Sequence, residues 1–160
     1  MSEDINERSQ GTALITGASS GIGARYADRL ARRGHDLLLV ARDRARLEAL
    51  ATRLTDDTGR AVTVIGADLT TKADLARVEQ VLRTDARITV LVNNAGIAMS
   101  GDLASADPDQ LERMIQLNVL APSRLARAAV APSSTSARSW HSRRRCSTAA
   151  TAAPRPICSI

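Results

Sequence analysis

Residues 16–23 of the 160-residue chain read Thr16-Gly17-Ala18-Ser19-Ser20-Gly21-Ile22-Gly23. The apolar run at residues 12–16 predicts a strand before this glycine-rich turn, and the amphipathic stretch at residues 22–33 predicts a helix after it. In that position Gly17 allows a tight turn, backbone amides up to Gly21 can approach a pyrophosphate, and Gly23 allows close helix-to-strand contact. The turn therefore predicts a phosphate-binding site at a helix N-terminus, with a purely steric glycine turn as the alternative.

Short apolar runs alternate with amphipathic stretches along most of the chain. They predict strands at residues 12–16, 36–40, 61–65 and 88–92, and helices at residues 22–33, 44–55 and 72–84. A fourth helix is expected from the Asp107-Pro108 cap to at least Asn118, with an apolar side made of Leu111, Met114, Ile115 and Leu117. Residues 120–130 prolong that helix or begin another, with Pro122 at the boundary. The alternation is typical of an α/β fold with a parallel sheet.

The net charge of +5 lies entirely near the C-terminus. Up to Val130, 17 basic residues balance 17 acidic ones, whereas residues 131–160 add five arginines and no acidic residue. The same segment contains no Leu, Val or Gly, so it cannot bury enough apolar surface to offset the entropy of ordering it. We predict a disordered basic tail at residues 131–160, a flexible N-terminus at residues 1–10, and one domain at residues 11–130.

The remaining bulk properties argue against several classes of protein. The acidic, polar N-terminus resembles no secretory or organelle signal, and no apolar run is long enough to cross a bilayer. Cys146 and Cys158 have no Cys or His at metal-ligand spacing, so neither a disulfide framework nor a metal site is predicted. The arginine triplet at residues 143–145 is a short charge run of the kind that is usually solvated. We expect a cytoplasmic protein whose partners include neither nucleic acid nor a membrane.

Three further motifs follow the glycine-rich turn in order. Asp68-Leu69 lies after the third predicted strand, Asn93-Asn94-Ala95-Gly96 ends the fourth, and Asn118-Val119 lies in the next helix. Together with T-G-A-S-S-G-I-G they resemble the short-chain dehydrogenase/reductase family, from about Gly11 to Val130. The resemblance implies a Rossmann-type, doubly wound parallel sheet, incomplete here with strands 1–4 of the family's seven. It also implies hydride transfer between NADP(H) and a carbonyl or alcohol substrate, and a homo-oligomer as an option for the full family fold.

The resemblance implies roles for individual residues. Asp68 and Leu69 would hold the adenine, and residues 94–96 would line the cofactor beside the central strand. The full set of implied cofactor-binding residues is Gly17, Ser19, Ser20, Gly21, Ile22, Gly23, Arg42, Asp68, Leu69, Asn94, Ala95 and Gly96. Two alternatives stay open: Asp68 as a helix cap before Thr70-Thr71, and Asn93-Asn94 as a strand-ending turn.

The end of the second strand indicates which nicotinamide cofactor fits. An acidic residue there accepts hydrogen bonds from the ribose diol of NAD and repels a 2′-phosphate. This chain has Ala41 followed by Arg42 instead. A guanidinium matches phosphate in charge and geometry, so NADP is predicted over NAD. Alternatively, Arg42 is a solvated loop charge, and Asp43 could pair with it.

Most residues that perform the family's chemistry are missing. The family uses a tyrosine to protonate the carbonyl, a lysine four residues later to lower the tyrosine's pKa, a serine to polarise the carbonyl and an asparagine in the proton relay. Asn118 matches the catalytic asparagine, with a buried residue at a helix kink as the alternative. The sole tyrosine, Tyr26, has Leu30 four residues later, and the sole lysine is Lys72. We predict an inactive chain, with a non-catalytic NADP-binding pseudoenzyme as the alternative.

Two explanations stand for the change of composition after Val130. A shift of reading frame would make the tail an out-of-frame translation; this is favoured because Leu, Val, Gly and all acids disappear where the family's fifth strand should approach. The other is a genuine short protein with a basic, disordered C-terminus. In both cases the fourth strand, at residues 88–92, would form an unprotected apolar edge that favours aggregation.

Overall fold

Four strands form one parallel sheet in the computed structural model, which describes residues 9–99 and 106–131. They are β1 (Thr12–Thr16), β2 (Asp36–Ala41), β3 (Val62–Gly66) and β4 (Ile88–Val92), in the order β3-β2-β1-β4. The chain adds strands outward from β1 to β3 and then returns to the other side of β1 with β4. This reversal leaves a crevice at the carboxyl ends of the strands, where ligands bind in such folds. The predicted α/β, Rossmann-type parallel sheet is confirmed.

Within the described residues, five α-helices accompany the sheet. They are α1 (Gly21–Arg32), α2 (Arg44–Thr58), α3 (Lys72–Thr84), α4 (Pro108–Ile115) and α5 (Ala121–Val130), with a π-helical turn (Gln116–Leu120) between α4 and α5. Asp43 and Thr71 cap α2 and α3 by accepting hydrogen bonds from backbone N–H groups, and Gly34 (φ 89°) follows α1. The helix α4, the π turn and α5 follow one another without a break. Pro122 lies in the first turn of α5, where its missing N–H does not interrupt the segment.

The core has two layers because alternate strand residues point to opposite faces of the sheet. One face carries a cluster shared by the sheet, α1 and α2, built around Ile15, Leu30, Leu39, Leu47 and Leu54. The other face carries a cluster shared by the sheet, α3 and α5, built around Leu14, Val40, Val78, Leu82 and Leu125. Each buried aliphatic side chain stabilises the fold by about 1.5–3 kcal/mol. The two layers make the sheet doubly wound, as expected.

The helix α4 is less buried than its apolar pattern predicted. None of its residues is fully buried, and Ile115, which was expected on the apolar side, is 49% exposed. The prediction is therefore wrong for Ile115. The reason is that α4 mainly contacts the π turn that follows it, whereas α5 packs against α3 through Leu125 and Ala128.

The predicted flexible N-terminus and the predicted disordered tail lie mostly outside the described residues. Residues 1–8 and 100–105, and the predicted disordered tail from residue 132 onward, lie outside the described residues. Gln10 donates its N–H to the Gly34 carbonyl oxygen at 3.0 Å, which anchors the chain before β1. Strand β4 pairs with β1 and has no second strand partner in the described part of the chain. No helix in that part is long and apolar enough to cross a membrane.

Candidate cofactor site

The glycine-rich turn joins β1 to α1 at the carboxyl end of the sheet. Gly17 (φ 66°) packs so closely that a Cβ there would lie 2.8 Å from Ala95 Cα. A Cβ at Gly23 would lie 2.3 Å from the Gly17 carbonyl oxygen, so both positions require glycine for packing. Gly21 differs, because its φ is 58° but a Cβ there would meet nothing within 4 Å. The turn is closely packed on its inner side and open at Gly21.

The N-terminus of α1 has the properties of an anion site. Its N-cap Ser20 makes no side-chain capping hydrogen bond, and the first turn carries no acidic residue. The hydroxyls of Ser19 and Ser20 have no hydrogen-bond partner within the described residues. Ile22, just inside the helix, is 67% exposed. Unsatisfied N–H groups and the positive end of the helix dipole are therefore accessible at this point.

Hydrogen bonds around Thr16 fix the turn against the segment after β4. Thr16 is 1% exposed, and its Oγ1 accepts hydrogen bonds from the N–H groups of Asn94 (3.0 Å) and Ala95 (3.1 Å). The same hydroxyl donates to the Val92 carbonyl oxygen at 3.4 Å. The Asn94 side-chain amide donates to the carbonyl oxygens of Thr16 and Gly17, both at 3.2 Å. Thr16 was not predicted as a site residue, although a lone hydroxyl ending an apolar strand is a usable signal.

An open cleft of about 480 Å³ lies beside the end of β4. It is lined by Asn93, Ala95, Gly96, Ile97, Ala98, Asn118 and Pro122. Asn118, in the π turn, donates from Nδ2 to the Ile97 carbonyl oxygen (2.8 Å), and its Oδ1 accepts from the Ile97 N–H (3.0 Å). A π turn inside a helix often marks a functional site. The structure thus brings Asn118 to the same cleft as Ala95 and Gly96.

Asn118 and Asn93, two asparagines of this cleft, were not fully predicted from the sequence. The alternative of a buried Asn118 at a helix kink is wrong, because the residue is exposed and its side chain is held only by the Ile97 backbone within the described residues. Asn93 was not predicted to bind the cofactor. Its Nδ2 donates to the Pro122 carbonyl oxygen at 3.4 Å, while its buried Oδ1 has no hydrogen-bond partner in the described part of the chain.

Asp68 forms a local turn beyond β3. Its Oδ1 accepts hydrogen bonds from the Thr70 N–H (3.0 Å) and the Thr70 hydroxyl (2.7 Å). Burial raises the pKa of Asp68, whereas the hydrogen bonds from Thr70 and the charges of Arg42 and Arg113 lower it. The net result is a pKa below the ordinary value. The alternative role of Asp68 as a helix cap is wrong, because Thr71 caps α3. Arg113 was not predicted, since only the fold brings α4 near Asp68.

Leu69 and Arg42, the other predicted residues at this end of the sheet, differ in exposure. Leu69 is 5% exposed and packs in the cluster that contains α3. Arg42 is exposed directly after β2, with no ion pair among the described residues. Asp43 instead caps α2 by accepting from the Arg46 N–H (3.0 Å) and pairs with Arg46 Nε (3.1 Å). The guanidinium of Arg42 is therefore not engaged by its neighbour.

Comparison with known proteins identifies the family. The profile of the short chain dehydrogenases matches residues 11–138. The chain belongs to this family. An uncharacterised oxidoreductase of Staphylococcus saprophyticus is 37% identical over 108 residues, which are 67% of this chain and 46% of the relative. Human 17-beta-hydroxysteroid dehydrogenase type 3 is 36% identical over 110 residues, 67% of this chain and 35% of the relative. The chain thus spans half the length or less of these short-chain dehydrogenases.

Solved structures of short-chain dehydrogenases resemble about three quarters of this chain. The bulky-bulky ketone specific alcohol dehydrogenase of Comamonas testosteroni is 51% identical, with a TM-score of 0.76, and the match covers 77% of this chain and 49% of that one. A short-chain dehydrogenase of Sphingobium yanoikuyae in complex with NADPH is 60% identical, with a TM-score of 0.74 and coverage of 75% and 47%. The fold is therefore that of oxidoreductases whose structures include complexes with NADPH.

Proposed function

We propose that this chain binds NADP(H) along the carboxyl edge of the sheet. One observation carries the proposal: the glycine-rich turn is closely packed at Gly17 and Gly23, open at Gly21, and followed directly by an uncapped helix N-terminus. Backbone N–H groups and the helix dipole favour a pyrophosphate in that position. The hydroxyls of Ser19 and Ser20, which have no partner among residues 9–99 and 106–131, add two donors beside it. Ile22 would cover the dinucleotide from the first turn of α1.

The phosphorylated form of the cofactor is favoured by Arg42. Its guanidinium is exposed at the end of β2, and Asp43 is already paired with Arg46. A planar guanidinium can bind a 2′-phosphate through two parallel hydrogen bonds, whereas an acidic residue there would repel it. The NADPH complex of the Sphingobium relative and the NADP complex of a metagenomic relative, 35% identical, agree with this choice.

The remaining predicted residues would contact the two ends of the cofactor. Asp68 Oδ2 has no hydrogen-bond partner among the described residues, so it can accept a hydrogen bond from the adenine amino group. Leu69 would contribute its backbone, because its side chain is in the core. Asn94 holds the turn, and Ala95 and Gly96 would line the nicotinamide end with their backbone. These roles fit the crevice at the strand ends.

For the complete family fold we propose hydride transfer between NADP(H) and a carbonyl or alcohol substrate. The bound cofactor supplies the hydride. Asn118, fixed by Ile97 in the cleft, is the residue of this chain that we assign to the catalytic group. The 160 residues contain one tyrosine, in α1, and one lysine, in α3, and no Tyr-x-x-x-Lys pair. We therefore propose that this sequence binds the cofactor without turning it over, as a pseudoenzyme would.

A binding titration and a turnover assay test the two parts of this proposal separately. The full chain is titrated with NADPH and with NADH while the nicotinamide fluorescence is followed, and NADPH absorbance is then recorded with a panel of ketones and aldehydes. We expect NADPH to bind at least about tenfold more tightly than NADH, because only NADPH offers a phosphate to Arg42. Absence of NADPH binding contradicts the binding proposal. Oxidation of NADPH above a protein-free control contradicts the proposed inactivity.

A further inference from the structure

A second concave surface, outside the candidate cofactor site, lies between α1 and α2. Its volume is about 390 Å³, and it is lined by Ala24, Arg25, Asp28, Arg29, Arg32 and Arg53. We call it the arginine groove. All four guanidinium-bearing residues are exposed, while Ala24 and Asp28 are half-buried. None of these residues belongs to the turn, to the cleft beside β4, or to the segments around Arg42 and Asp68.

Three of the four arginines in the arginine groove form no ion pair with the described residues. Arg32 pairs with Asp28, with Nε 3.1 Å from Oδ2. Arg25, Arg29 and Arg53 have no acidic group within 4.0 Å in the described part of the chain. Elsewhere the exposed arginines of α2 and α3 are mostly paired with an acid on the same helix, as Arg44 is with Glu48 at 2.7 Å. Three arginines without an ion pair in the described residues therefore line one small surface.

Helix stability does not explain this arrangement. Arg25 and Arg29 are four residues apart on α1, a spacing at which like charges destabilise a helix. The dipole favours Arg29 and Arg32 in the last turn, but Arg25 follows the first turn, near the positive end. Arg53 lies in the interior of α2, where the dipole has little effect. Binding of an anion would account for the convergence that helix electrostatics leaves unexplained.

We propose that the arginine groove binds a small anion carrying two or more phosphate groups. Guanidinium groups match phosphate oxygens in charge and in bidentate geometry, and groups from two helices can contact different phosphates of one molecule. The volume of about 390 Å³ lies near the lower end for small-molecule sites, which favours a compact ligand. Ala24 leaves room beneath the arginines because its side chain is a single methyl group.

Titration with inorganic tripolyphosphate tests the proposal. Calorimetry is performed on the full chain with its cofactor site saturated by NADPH, and again on the variant Gly21→Ala, which blocks the glycine-rich turn. The groove variant is Arg29→Gln/Arg53→Gln. The matched control, Lys72→Gln/Arg127→Gln, removes the same charge from the exposed surfaces of α3 and α5. Thermal unfolding of each variant verifies that it is folded, and citrate at equal ionic strength serves as a carboxylate competitor.

We expect the NADPH-saturated chain and the Gly21→Ala variant to bind tripolyphosphate. We further expect a loss of at least about tenfold in affinity for the groove variant, and little change for the control. If the original chain does not bind tripolyphosphate, the proposed site is wrong. It is also wrong if the groove variant and the control lose the same affinity, because that would indicate unspecific charge attraction. Loss of binding in Gly21→Ala alone places the anion on the cofactor turn and also overturns it. Equal affinity for citrate overturns the choice of phosphate.

Discussion

Thr16 and Asn94 are joined by two hydrogen bonds, both donated by Asn94. The backbone N–H of Asn94 donates to Thr16 Oγ1 at 3.0 Å, and its side-chain amide donates to the Thr16 carbonyl oxygen at 3.2 Å. Ala95 donates to the same hydroxyl, so one buried oxygen satisfies two backbone N–H groups at the end of β4. Such a group is costly to remove, because Thr16 is buried and the half-buried donors of Asn94 and Ala95 would lose their acceptor. Thr16 therefore couples the glycine-rich turn to the segment that lines the cleft.

The substitution Thr16→Val tests this coupling. Valine keeps the shape of threonine but leaves the N–H groups of Asn94 and Ala95 without an acceptor. We expect the free energy of unfolding to fall by about 2–4 kcal/mol, since each buried unsatisfied donor costs about 1–3 kcal/mol. Urea unfolding followed by circular dichroism measures the change.

Two variants serve as controls for Thr16→Val. Thr16→Ser retains the hydroxyl and should keep most of the stability. Thr63→Val changes an exposed threonine of β3 that makes no side-chain hydrogen bond in the described residues, and should leave stability within about 0.5 kcal/mol. Equal loss of stability for both valine variants would contradict a special role of the Thr16 hydroxyl.

Gly21 and Gly59 form a matched pair for the anion site. Gly21 has φ of 58° and Gly59 φ of 68°, and a Cβ at either would meet nothing within 4 Å. Gly21→Ala and Gly59→Ala should each lower the free energy of unfolding by about 1 kcal/mol, the cost of a left-handed alanine. Only Gly21→Ala should weaken NADPH binding, by at least about tenfold, because its methyl group enters the space proposed for the pyrophosphate. Fluorescence titration with NADPH compares them, and equal affinities would contradict the proposed site.

Features that depend on local pattern were predictable from the sequence. Apolar runs located all four strands to within one residue at each end, because a parallel sheet covered on both faces needs continuous apolar segments. Gly34 marked the end of α1 to within one residue, but the end of α2 was placed too early. The helix α2 continues to Thr58, about three residues beyond the prediction, because Gly59 in the left-handed conformation ends it.

Features that depend on distant contacts were not predictable. The hydroxyl that ends β1 is a local signal for Thr16, but the two backbone donors that it serves are 78 and 79 residues away, which no local pattern indicates. Likewise, periodicity placed Ile115 on an apolar face but could not show that, within residues 9–99 and 106–131, α4 mainly contacts the π turn that follows it. The π turn was missed for the same reason, because residues 116–120 continue an ordinary helical pattern. Local sequence therefore specifies strands and turns, whereas the contacts that bury a helix face depend on the packing of distant segments.

Arg42→Gln tests the choice between NADPH and NADH. Glutamine keeps a polar side chain but removes the charge that would bind the 2′-phosphate. We expect NADPH affinity to fall at least about tenfold while NADH affinity stays unchanged. Arg46→Gln is the control, since Arg46 is exposed nearby but pairs with Asp43. If NADPH affinity is lost equally in both variants, or if both cofactors are weakened alike, Arg42 is a solvated loop charge.

Glu79 and Arg124 form a further contact that the sequence did not indicate. Glu79 is 5% exposed, and its carboxylate accepts hydrogen bonds from Arg124 Nε (2.6 Å) and Nη2 (2.9 Å), which joins α3 to α5. These bonds lower the pKa of Glu79 below its ordinary value of 4.5, against the opposing effect of burial. The charges of Arg124, Arg83 and Arg127 act in the same direction as the bonds.

This contact predicts a dependence of stability on pH. The unfolded state binds a proton at Glu79 more readily than the folded state, so the stabilisation is present above the ordinary pKa of 4.5 and is lost as pH falls through the lower folded value. Glu79→Gln should lower the free energy of unfolding by about 2 kcal/mol at neutral pH. Below pH 4.5 the free energies of unfolding of the variant and the original chain should approach each other. Urea unfolding across this range measures it. Glu48→Gln, which breaks the exposed pair with Arg44, should follow the original chain at every pH. A constant difference for Glu79→Gln down to acid pH would show that its carboxylate does not stabilise the fold through its charge.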